Sequence, residues 1–388
     1  MKNNAGDEIA RRLAAAGKEM SIYVHLPFCA GKCPYCSFFS MVPKCGEIEE
    51  YCKLLRSEIR FFGDRLAGTG LSAKTLYFGG GTPTLLPPAE WRRLLDCIRE
   101  NIALAEQIEI SVEANPESLT EEHVRLWKEE TVARISIGVQ SLSDEELRWL
   151  GRLHDAARAR AALSMCVGYG FSVSADLMFG LAGQSIRSFS RSVKDALSLG
   201  AEHLSLYQLA IDEKSRWFVA PPEGRSYGYP FYRWSQWYLP RKGFVQYEIS
   251  SFALPGKECR HNSSYWTNDP VLALGAGAWG YAEGVRYCNE RTLESYGKTV
   301  RRSGHAVAEM ETHDTAKRAR EAAILLLRTS RGILFEPFSS RYGEDALSAI
   351  LRILEENAPS DCFVRNAFSL ALSPKGMRVA NALWSLIV

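Results

Sequence analysis

Six short apolar runs alternate with helical patterns over the first half of the chain, and this alternation is the strongest constraint on the fold. The strand-like runs span residues 22–25, 75–78, 108–113, 134–139, 173–178 and 203–208, and the helical patterns between them span 48–66, 88–101, 121–130, 155–168 and 186–199. Consecutive strand–helix units predict a parallel sheet with right-handed crossovers. We therefore predict an α/β fold whose sheet is closed or partly closed into a barrel.

A cysteine-rich loop directly follows the first strand-like run. Cys29, Cys33 and Cys36 have Cys-x3-Cys-x2-Cys spacing, without a fourth cysteine in the loop. A structural zinc site takes four protein ligands, whereas an iron–sulfur cluster held by three thiolates leaves one iron open to another ligand. The spacing favours a reactive cluster, with a zinc site completed by a distant cysteine as the alternative.

Polar or glycine residues follow the other strand-like runs, where the catalytic residues of parallel barrels gather. The second run ends in Gly79-Gly80-Gly81-Thr82, which indicates a ligand lying along the backbone or, alternatively, a flexible turn. Glu113 ends the third run, Gln140 directly follows the fourth, and Asp176 lies within the fifth. Together they predict recognition of a small polar ligand, although each acid taken singly is equally typical of a helix cap or a surface position.

These motifs resemble those of the radical S-adenosylmethionine superfamily. The cysteine loop, with residues 23–28 before it and Tyr35 ahead of the third cysteine, is similar to the superfamily's cluster motif. Residues 77–83, 136–141 and 176–181 resemble the branch that contains the oxygen-independent coproporphyrinogen III oxidases and the haem chaperones of the HemW group. The resemblance implies a partial (β/α)6 TIM-like barrel of the radical SAM type over residues 21–210.

The same resemblance implies a cofactor set and its ligands. Cys29, Cys33 and Cys36 would hold three irons of a [4Fe-4S] cluster, and the fourth iron would take the amino and carboxylate groups of S-adenosylmethionine. The residues carried over for that cofactor are Tyr23, Gly79, Gly80, Gly81, Thr82, Glu113, Gln140, Arg152 and Asp176. A reductant such as flavodoxin or ferredoxin would supply the electron that cleaves the sulfonium to a 5′-deoxyadenosyl radical.

Two positions in this half carry their own alternatives. Arg152 suits a fork-shaped contact with a carboxylate, and a solvated charge at a helix end is the alternative. Where the family usually has proline after Gly180-Leu181, this chain has Ala182. The loss of a fixed φ predicts a less rigid turn without removing a proposed ligand.

The segment 211–311 is rich in aromatic residues and carries a second motif. Aromatic spacing from Phe231 to Tyr238 predicts a helix packed on the core, with a flat apolar ligand as the alternative. The motif His261-Asn262-Ser263-Ser264-Tyr265-Trp266 is similar to the His-Asn-x-x-Tyr-Trp signature of the HemW group. The resemblance implies haem ligation by His261 on a loop, with a surface histidine as the alternative and Cys259 as a substitute ligand.

The last segment, 312–388, predicts a small winged-helix-like module appended to an α+β extension. Its patterns are helices at 316–328, 346–356 and 374–386 and a hairpin at 363–372. Because the module lacks a dense basic face, we expect a lid or a partner-docking surface rather than DNA binding.

Composition narrows the partners and the compartment. With 47 basic and 45 acidic residues the chain offers no support for a nucleic-acid partner. No apolar run reaches the ~20 residues of a membrane span, and the polar segment 1–20 lacks a signal-peptide core, so we expect a cytoplasmic protein. In a reducing compartment disulfides are not expected. The scattered Cys45, Cys52, Cys97, Cys166 and Cys362 should be small buried hydrophobes.

Two functions from different classes fit this pattern. In the first, the protein is a haem chaperone that binds haem and passes it to an acceptor protein, with a membrane-associated protein as one candidate acceptor, while the cluster and S-adenosylmethionine control transfer. In the second, it is a radical enzyme acting on a tetrapyrrole, as in oxidative decarboxylation of coproporphyrinogen III or a related transfer reaction. The oxidases carry a further cysteine two residues after the third, whereas Ser37-Phe38 follow Cys36 here. The chaperone is therefore preferred, and the question of enzymatic activity stays open.

Overall fold

The alternation of strands and helices in the first half is confirmed by a computed structural model, which describes residues 4–224 and 227–388. The first three residues of the segment 1–20 and residues 225–226 of the aromatic-rich segment lie outside the described residues. The elements of this half are α1 (Ala5–Ala15), β1 (Glu19–Leu26), α2 (Glu47–Leu66), β2 (Ser72–Gly80), α3 (Pro88–Asn101), β3 (Leu104–Ala114), α4 (Glu121–Glu129), β4 (Arg134–Gln140), α5 (Asp144–Trp149), α6 (Ala156–Gly168), β5 (Ser172–Phe179), α7 (Ile186–Ser198) and β6 (His203–Gln208).

The second half consists of shorter elements. In chain order they are α8 (Arg216–Val219), α9 (Tyr229–Tyr238), β7 (Val245–Gln246), β8 (Ser251–Ala253), α10 (Arg260–Trp266), β9 (Val271–Leu274), β10 (Trp279–Ala282), β11 (Val285–Asn289), α11 (Leu293–Ser303), β12 (Val307–Thr312), α12 (Thr315–Leu327), β13 (Ile333–Leu334), α13 (Phe335–Tyr342), α14 (Glu344–Asn357), β14 (Phe363–Arg365), β15 (Ser369–Leu372), α15 (Pro374–Arg378) and α16 (Ala380–Trp384).

The chain divides into two compact units. The first comprises residues 1–228 and 270–311, and the second comprises 229–269 and 312–388. The predicted segment 211–311 therefore contributes to both units.

The first unit is built on an open sheet. Strands β1 to β6 are parallel and lie side by side in chain order, as a partial (β/α)6 barrel requires. On the other side of β1 the order continues β9-β10-β11-β12, where β9 is parallel to β1 and β10 is antiparallel to β9 and β11. Because successive parallel strands share one direction, β1 to β5 all end at the same edge of the sheet.

Local sequence accounts for where the helices of this unit begin. Thr120, Asp155 and Ser185 precede α4, α6 and α7, and each side-chain oxygen accepts a hydrogen bond from the backbone N–H three residues later. The fully buried Trp91 and Trp127 rings pack edge-to-face with centroids 5.5 Å apart, which seats α3 and α4 together.

The second unit contains α9, the β7–β8 hairpin, α10 and the C-terminal module. The module runs helix, strand, helix, helix, strand, strand, with a three-stranded antiparallel sheet in the order β13-β15-β14. The predicted hairpin at 363–372 is confirmed as β14 and β15, and the order of elements is compatible with the predicted winged-helix-like module. The aromatic run 231–238 lies inside α9, where Phe231 and Tyr232 are buried.

The polar segment 1–20, for which no structure was predicted, contains helix α1 with Ile9 and Leu13 fully buried, and β1 begins at Glu19 within it. Two expectations are wrong in detail. The single helix expected at 374–386 is two short helices, α15 and α16, interrupted at Val379, whose φ of −120° and ψ of 21° are not helical. Cys45 is exposed, whereas Cys52, Cys97, Cys166 and Cys362 are buried as expected.

Among the described residues, no helix is both long enough and apolar enough to cross a membrane.

Candidate cluster and cofactor site

The three predicted cluster cysteines lie on the loop between β1 and α2. Cys29, Cys33 and Cys36 are free thiols and are partly buried. The backbone N–H of Cys29 donates to Met41 O over 2.9 Å, and that of Cys36 donates to Cys33 O over 3.2 Å. Burial is the main cause that raises the pKa of the Cys36 thiol, and the nearby Cys33 and Cys29 raise it further. The loop thus brings three thiols into one electrostatic neighbourhood.

Two side chains from elsewhere in the first unit reach the sulfur atoms of this loop: Thr82, which follows β2, and Arg152, which lies between α5 and α6. Thr82 Oγ1 donates to Cys29 Sγ over 3.5 Å, and Arg152 Nη1 donates to Cys33 Sγ over 3.4 Å. The Arg152 side chain is only 6% exposed, and Glu117 lies 3.6 Å from its guanidinium. The alternative of a solvated helix-end charge is therefore wrong for Arg152.

The glycine segment after β2 lies against the protein's own atoms. A Cβ at Gly79 would lie 2.8 Å from the Glu113 carboxyl carbon, and one at Gly80 would lie 2.3 Å from the His25 ring. At Gly81 the added atom would come within 2.6 Å of the Phe28 carbonyl oxygen. Close internal packing, together with a φ of 111° at Gly80, is sufficient to require glycine here.

Two carboxyl groups at the strand ends are held in a desolvated setting. Glu113 accepts from Tyr77 OH over 2.9 Å and from the Gly80 N–H over 3.0 Å, yet burial outweighs these bonds and raises its pKa to about 7. Asp176 accepts from Ser136 Oγ over 3.1 Å, and burial raises its pKa to about 6. The negative charge of Asp176 also raises the pKa of Glu113, so the two carboxyl groups interact electrostatically.

Two further predicted residues of this site lie within β1 and at the end of β4. Tyr23 donates to or accepts from His25 Nδ1 over 2.9 Å, and its ring stacks on Tyr77 with centroids 6.2 Å apart. Gln140 ends β4 with a φ of 63°, a left-handed conformation that is uncommon for a residue with a side chain. Such backbone strain is typical of functional positions.

Sequence reasoning missed Asn115, which links Thr82 to Arg152. Asn115 Nδ2 donates to Thr82 Oγ1 over 2.8 Å, and Asn115 Oδ1 accepts from Arg152 Nη2 over 3.0 Å. The residue directly follows β3, so the rule that gathers functional residues at strand ends would have included it.

The turn after β5, where this chain has Ala182 in place of the family's usual proline, is held by the side chain of Gln184. The buried Gln184 amide accepts from the Gly180 N–H over 2.9 Å and donates to Met178 O over 3.2 Å and to Glu146 Oε2 over 3.0 Å. The turn is thus fixed by side-chain hydrogen bonds at a position where the sequence predicted less rigidity.

His261 belongs to the second unit, and its surroundings differ from those expected. It lies on helix α10 rather than on a loop, and it is 1% exposed, so the alternative of a surface histidine is wrong. Burial lowers its pKa to about 3, and its ring meets the Tyr265 ring edge-on with centroids 5.4 Å apart. The imidazole is therefore neutral at physiological pH, which is the form that ligates a metal. Cys259, the substitute candidate, is also buried.

Comparisons with known proteins agree with the fold and with the cysteine loop. Residues 23–196 match the model of the radical SAM superfamily. The structure is similar to that of coproporphyrinogen III oxidase from Escherichia coli, with a TM-score of 0.84 and 22% identity over 99% of this chain and 93% of the oxidase. The chain belongs to the radical SAM superfamily.

Curated relatives define the family more narrowly. The chain is 31% identical to the heme chaperone HemW of Bacillus subtilis over 373 residues, which cover 94% of this chain and 98% of the relative. It is 36% identical to the heme chaperone HemW of Escherichia coli over 67% of this chain and 70% of the relative. Within the superfamily, the chain belongs to the HemW family.

The donor types suit the cofactors that this superfamily implies, because three partly buried thiols on one loop provide soft ligands for an iron–sulfur cluster. The three sulfur atoms do not form a closed ligand group in this structure, and no other group of three His, Cys, Asp or Glu side chains among the described residues does so. The fit therefore rests on the type and placement of the thiols. The buried Arg152 Nε has no hydrogen-bond partner among the described residues, which leaves a donor for an anionic ligand.

Proposed function

We propose that this protein is a haem chaperone that binds haem together with a [4Fe-4S] cluster and S-adenosylmethionine and transfers the haem to an acceptor protein. The observation that carries the proposal is similarity to heme chaperones over 94% of the chain, from the cysteine loop through the His261 motif. A cytoplasmic location, an unidentified acceptor protein and a reductant such as flavodoxin or ferredoxin are parts of the same proposal.

Cys29, Cys33 and Cys36 would hold the cluster, and the strand-end residues would hold S-adenosylmethionine. When bound, S-adenosylmethionine would supply a sulfonium, and the cluster would supply the electron that can cleave it. Arg152 suits the carboxylate of the cofactor because its buried Nε is an unused donor. Glu113 and Asp176, with pKa values raised to about 7 and 6, suit hydroxyl and amino groups, since each can accept a hydrogen bond in a site that excludes water.

The glycines would contribute in a different way from the other residues. Gly79, Gly80 and Gly81 leave no side chain between β2 and the ends of β1 and β3, so Glu113 and His25 approach the backbone closely. Their support for cofactor binding is therefore the placement of Glu113, whose carboxylate accepts from the Gly80 N–H. Gln140, Thr82 and Tyr23 would complete the surroundings of the cofactor.

His261 would be the haem ligand. A neutral imidazole is the correct ligand form at neutral pH, and burial keeps it neutral. Because the ring is 1% exposed, haem would reach it only after α10 shifts or the side chain rotates. Tyr265, packed edge-on against the ring, would have to move with it.

A haem titration of the cluster-loaded protein tests this assignment. We expect His261→Ala to lose most haem-induced Soret absorbance and to keep the cluster absorbance, because the cysteine loop belongs to the other unit. His313→Gln, a change of a partly buried histidine of the same unit, serves as the matched control and should bind haem as the wild type does. Parallel loss of haem binding and cluster absorbance would instead assign His261 to folding.

A further inference from the structure

A continuous chain of hydrogen bonds joins the sulfur atoms of two cluster cysteines. It runs from Cys29 Sγ to Thr82 Oγ1, from there to the Asn115 side-chain amide, on to the Arg152 guanidinium and finally to Cys33 Sγ. The four contacts measure 3.5, 2.8, 3.0 and 3.4 Å in that order. All five residues belong to the first unit.

The direction of each bond follows from the chemistry of the groups. A guanidinium has donors only, so Asn115 must present its amide oxygen to Arg152 and its NH2 group to Thr82. Because the Thr82 oxygen accepts from Asn115, the single hydroxyl hydrogen of Thr82 remains for Cys29 Sγ. Asn115 thus orients the donors to both sulfur atoms without touching either.

Cys33 has a second donor on its own loop. The Tyr35 hydroxyl lies close enough to the Cys33 thiol and to Arg152 for side-chain hydrogen bonding, and burial is the main cause that raises its pKa above the ordinary value. The Tyr35 ring packs against the Trp217 ring with centroids 5.9 Å apart, and the backbone N–H of Trp217 donates to the backbone oxygen of Pro34 over 3.1 Å. These contacts fix the ring, so the hydroxyl is held beside the sulfur.

We propose that Thr82, Arg152 and Tyr35 raise the reduction potential of the cluster by donating hydrogen bonds to Cys29 and Cys33, and that Asn115 is the residue that positions Thr82 and Arg152. A cluster gains one electron on reduction, so its sulfur ligands become more negative. Donors beside those sulfur atoms stabilise the reduced form more than the oxidised form. The effect should be larger at Cys33, which has two donors, one of them a buried cation.

This inference rests on the cluster assignment in the proposed function, but it does not depend on haem binding or on cleavage of S-adenosylmethionine. It differs from a purely structural role for the same bonds in one respect. A structural role predicts loss of cluster or of fold on substitution, whereas the proposal predicts an intact cluster with a lower midpoint potential.

Tyr35→Phe is the first test, because it removes one hydroxyl and leaves the packed ring. We expect iron and sulfide content equal to that of the wild type and a midpoint potential that is more negative by roughly the equivalent of a tenfold change in the one-electron equilibrium, about 59 mV. The measurement is an anaerobic potentiometric titration followed by electron paramagnetic resonance. Tyr169→Phe, which removes a surface hydroxyl bonded to Glu121, is the matched control.

Asn115→Asp tests the positioning role. A carboxylate cannot donate, so Thr82 would turn its hydroxyl hydrogen towards the new aspartate and Cys29 would lose its donor. The added negative charge acts in the same direction, so we expect a more negative potential than in the wild type. Asn357→Asp, at an exposed helix end, controls for the charge change. If Asn115→Asp takes up no iron, Thr82→Val removes the same donor to Cys29 without adding charge.

Unchanged midpoint potentials in Tyr35→Phe and Asn115→Asp at full iron content would overturn the proposal. Loss of the cluster in Tyr35→Phe would also overturn it, because the hydroxyl would then serve the structure of the loop. A wild-type protein that takes up no cluster would contradict the proposed function itself, and this outcome is separate because it is read before any variant is compared.

Discussion

At the scale of single residues, the thiols of this chain fall into groups with different surroundings. Cys29, Cys33 and Cys36 are partly buried on one loop, and the first two receive hydrogen bonds from Thr82 and Arg152. Cys45, nine residues beyond Cys36, is exposed. Substituting one cysteine of the loop and, separately, the exposed Cys45 therefore tests whether a cysteine binds the cluster or only lies near the loop in sequence.

Cys29→Ala should abolish the cluster, and Cys45→Ala should not. Removal of one of three thiolate ligands leaves too few soft ligands for the cluster. Mutating residues that only hydrogen-bond to metal ligands already lowers metal affinity by about tenfold or more, so loss of a ligand itself should reduce bound iron by at least that factor. Iron and acid-labile sulfide per protein, measured after anaerobic reconstitution, provide the test. Equal iron content in the two variants would refute the ligand assignment.

Glu58 makes a second residue-scale prediction, because its carboxylate is fully buried and accepts four hydrogen bonds. The donors are the backbone N–H groups of Gly275 and Ala306, the Tyr296 hydroxyl and the Asn289 amide. Burial outweighs these bonds and raises the pKa of Glu58 from its ordinary value of 4.5 to about 7. The folded state thus binds this proton more tightly than the unfolded chain does.

The sign of the pH effect follows from that difference. The contribution of Glu58 to stability is fully present below about pH 4.5 and is lost as the pH rises through about 7. Glu58→Gln should therefore reduce the fall in unfolding free energy between pH 5 and pH 8 by up to roughly 3 kcal/mol. Urea denaturation at the two pH values measures this, with the exposed Glu106→Gln as control. A wild-type-like pH slope in Glu58→Gln would contradict the prediction.

At the scale of secondary-structure elements, the turn between β5 and α7 depends on one buried side chain. Gln184 accepts from the Gly180 N–H and donates to Met178 O and Glu146. Gln184→Ala would leave buried polar groups without partners, which costs about 1–3 kcal/mol per group. We expect a loss of about 2 kcal/mol or more in unfolding free energy, whereas Ser198→Ala at the exposed end of α7 should change it little. A loss below 0.5 kcal/mol would show that the turn holds without the amide.

The elements that the sequence predicts well are those with strong periodicity. Helix α3 and strand β6 have the predicted bounds, since helical or strand patterning and flanking turns agree there. The break at Val379 was missed because the buried residues Met377, Ala380 and Leu383 keep helical spacing across it. Helix α10 was missed because seven residues are too few for periodicity to separate a helix from a loop.

The candidate site was predictable to the extent that it lies at strand ends. The positions of Glu113, Gln140 and Asp176 at one edge follow from a parallel sheet. The reason for Gly79 to Gly81 did not follow, because only the structure shows that Glu113, His25 and backbone carbonyls occupy the space of their absent side chains. Hydrogen bonds between residues that are distant in sequence, such as that of Asn115 with Arg152, have no signal in a single sequence.

At the scale of the whole molecule, a shared fold does not establish a shared activity. The chain shares its fold with a coproporphyrinogen III oxidase at a TM-score of 0.84, but the 22% identity between them carries no statement about activity. By contrast, the heme chaperones HemW of Bacillus subtilis and Escherichia coli are 31% and 36% identical to it over 94% and 67% of its length. The cysteine loop and His261 belong to different compact units, so cluster binding and haem binding can be tested with separate variants.

We expect the cluster-loaded wild-type protein to develop a Soret band with haem and to leave coproporphyrinogen III unconverted under anaerobic reducing conditions with S-adenosylmethionine. Cys29→Ala should still bind haem, because His261 lies in the other unit. We expect an affinity within about threefold of that of the wild type, which corresponds to a difference in binding free energy of less than about 1 kcal/mol. Conversion of coproporphyrinogen III without a Soret band would support the enzyme instead. Loss of haem binding in Cys29→Ala would show that haem binding depends on an intact cysteine loop.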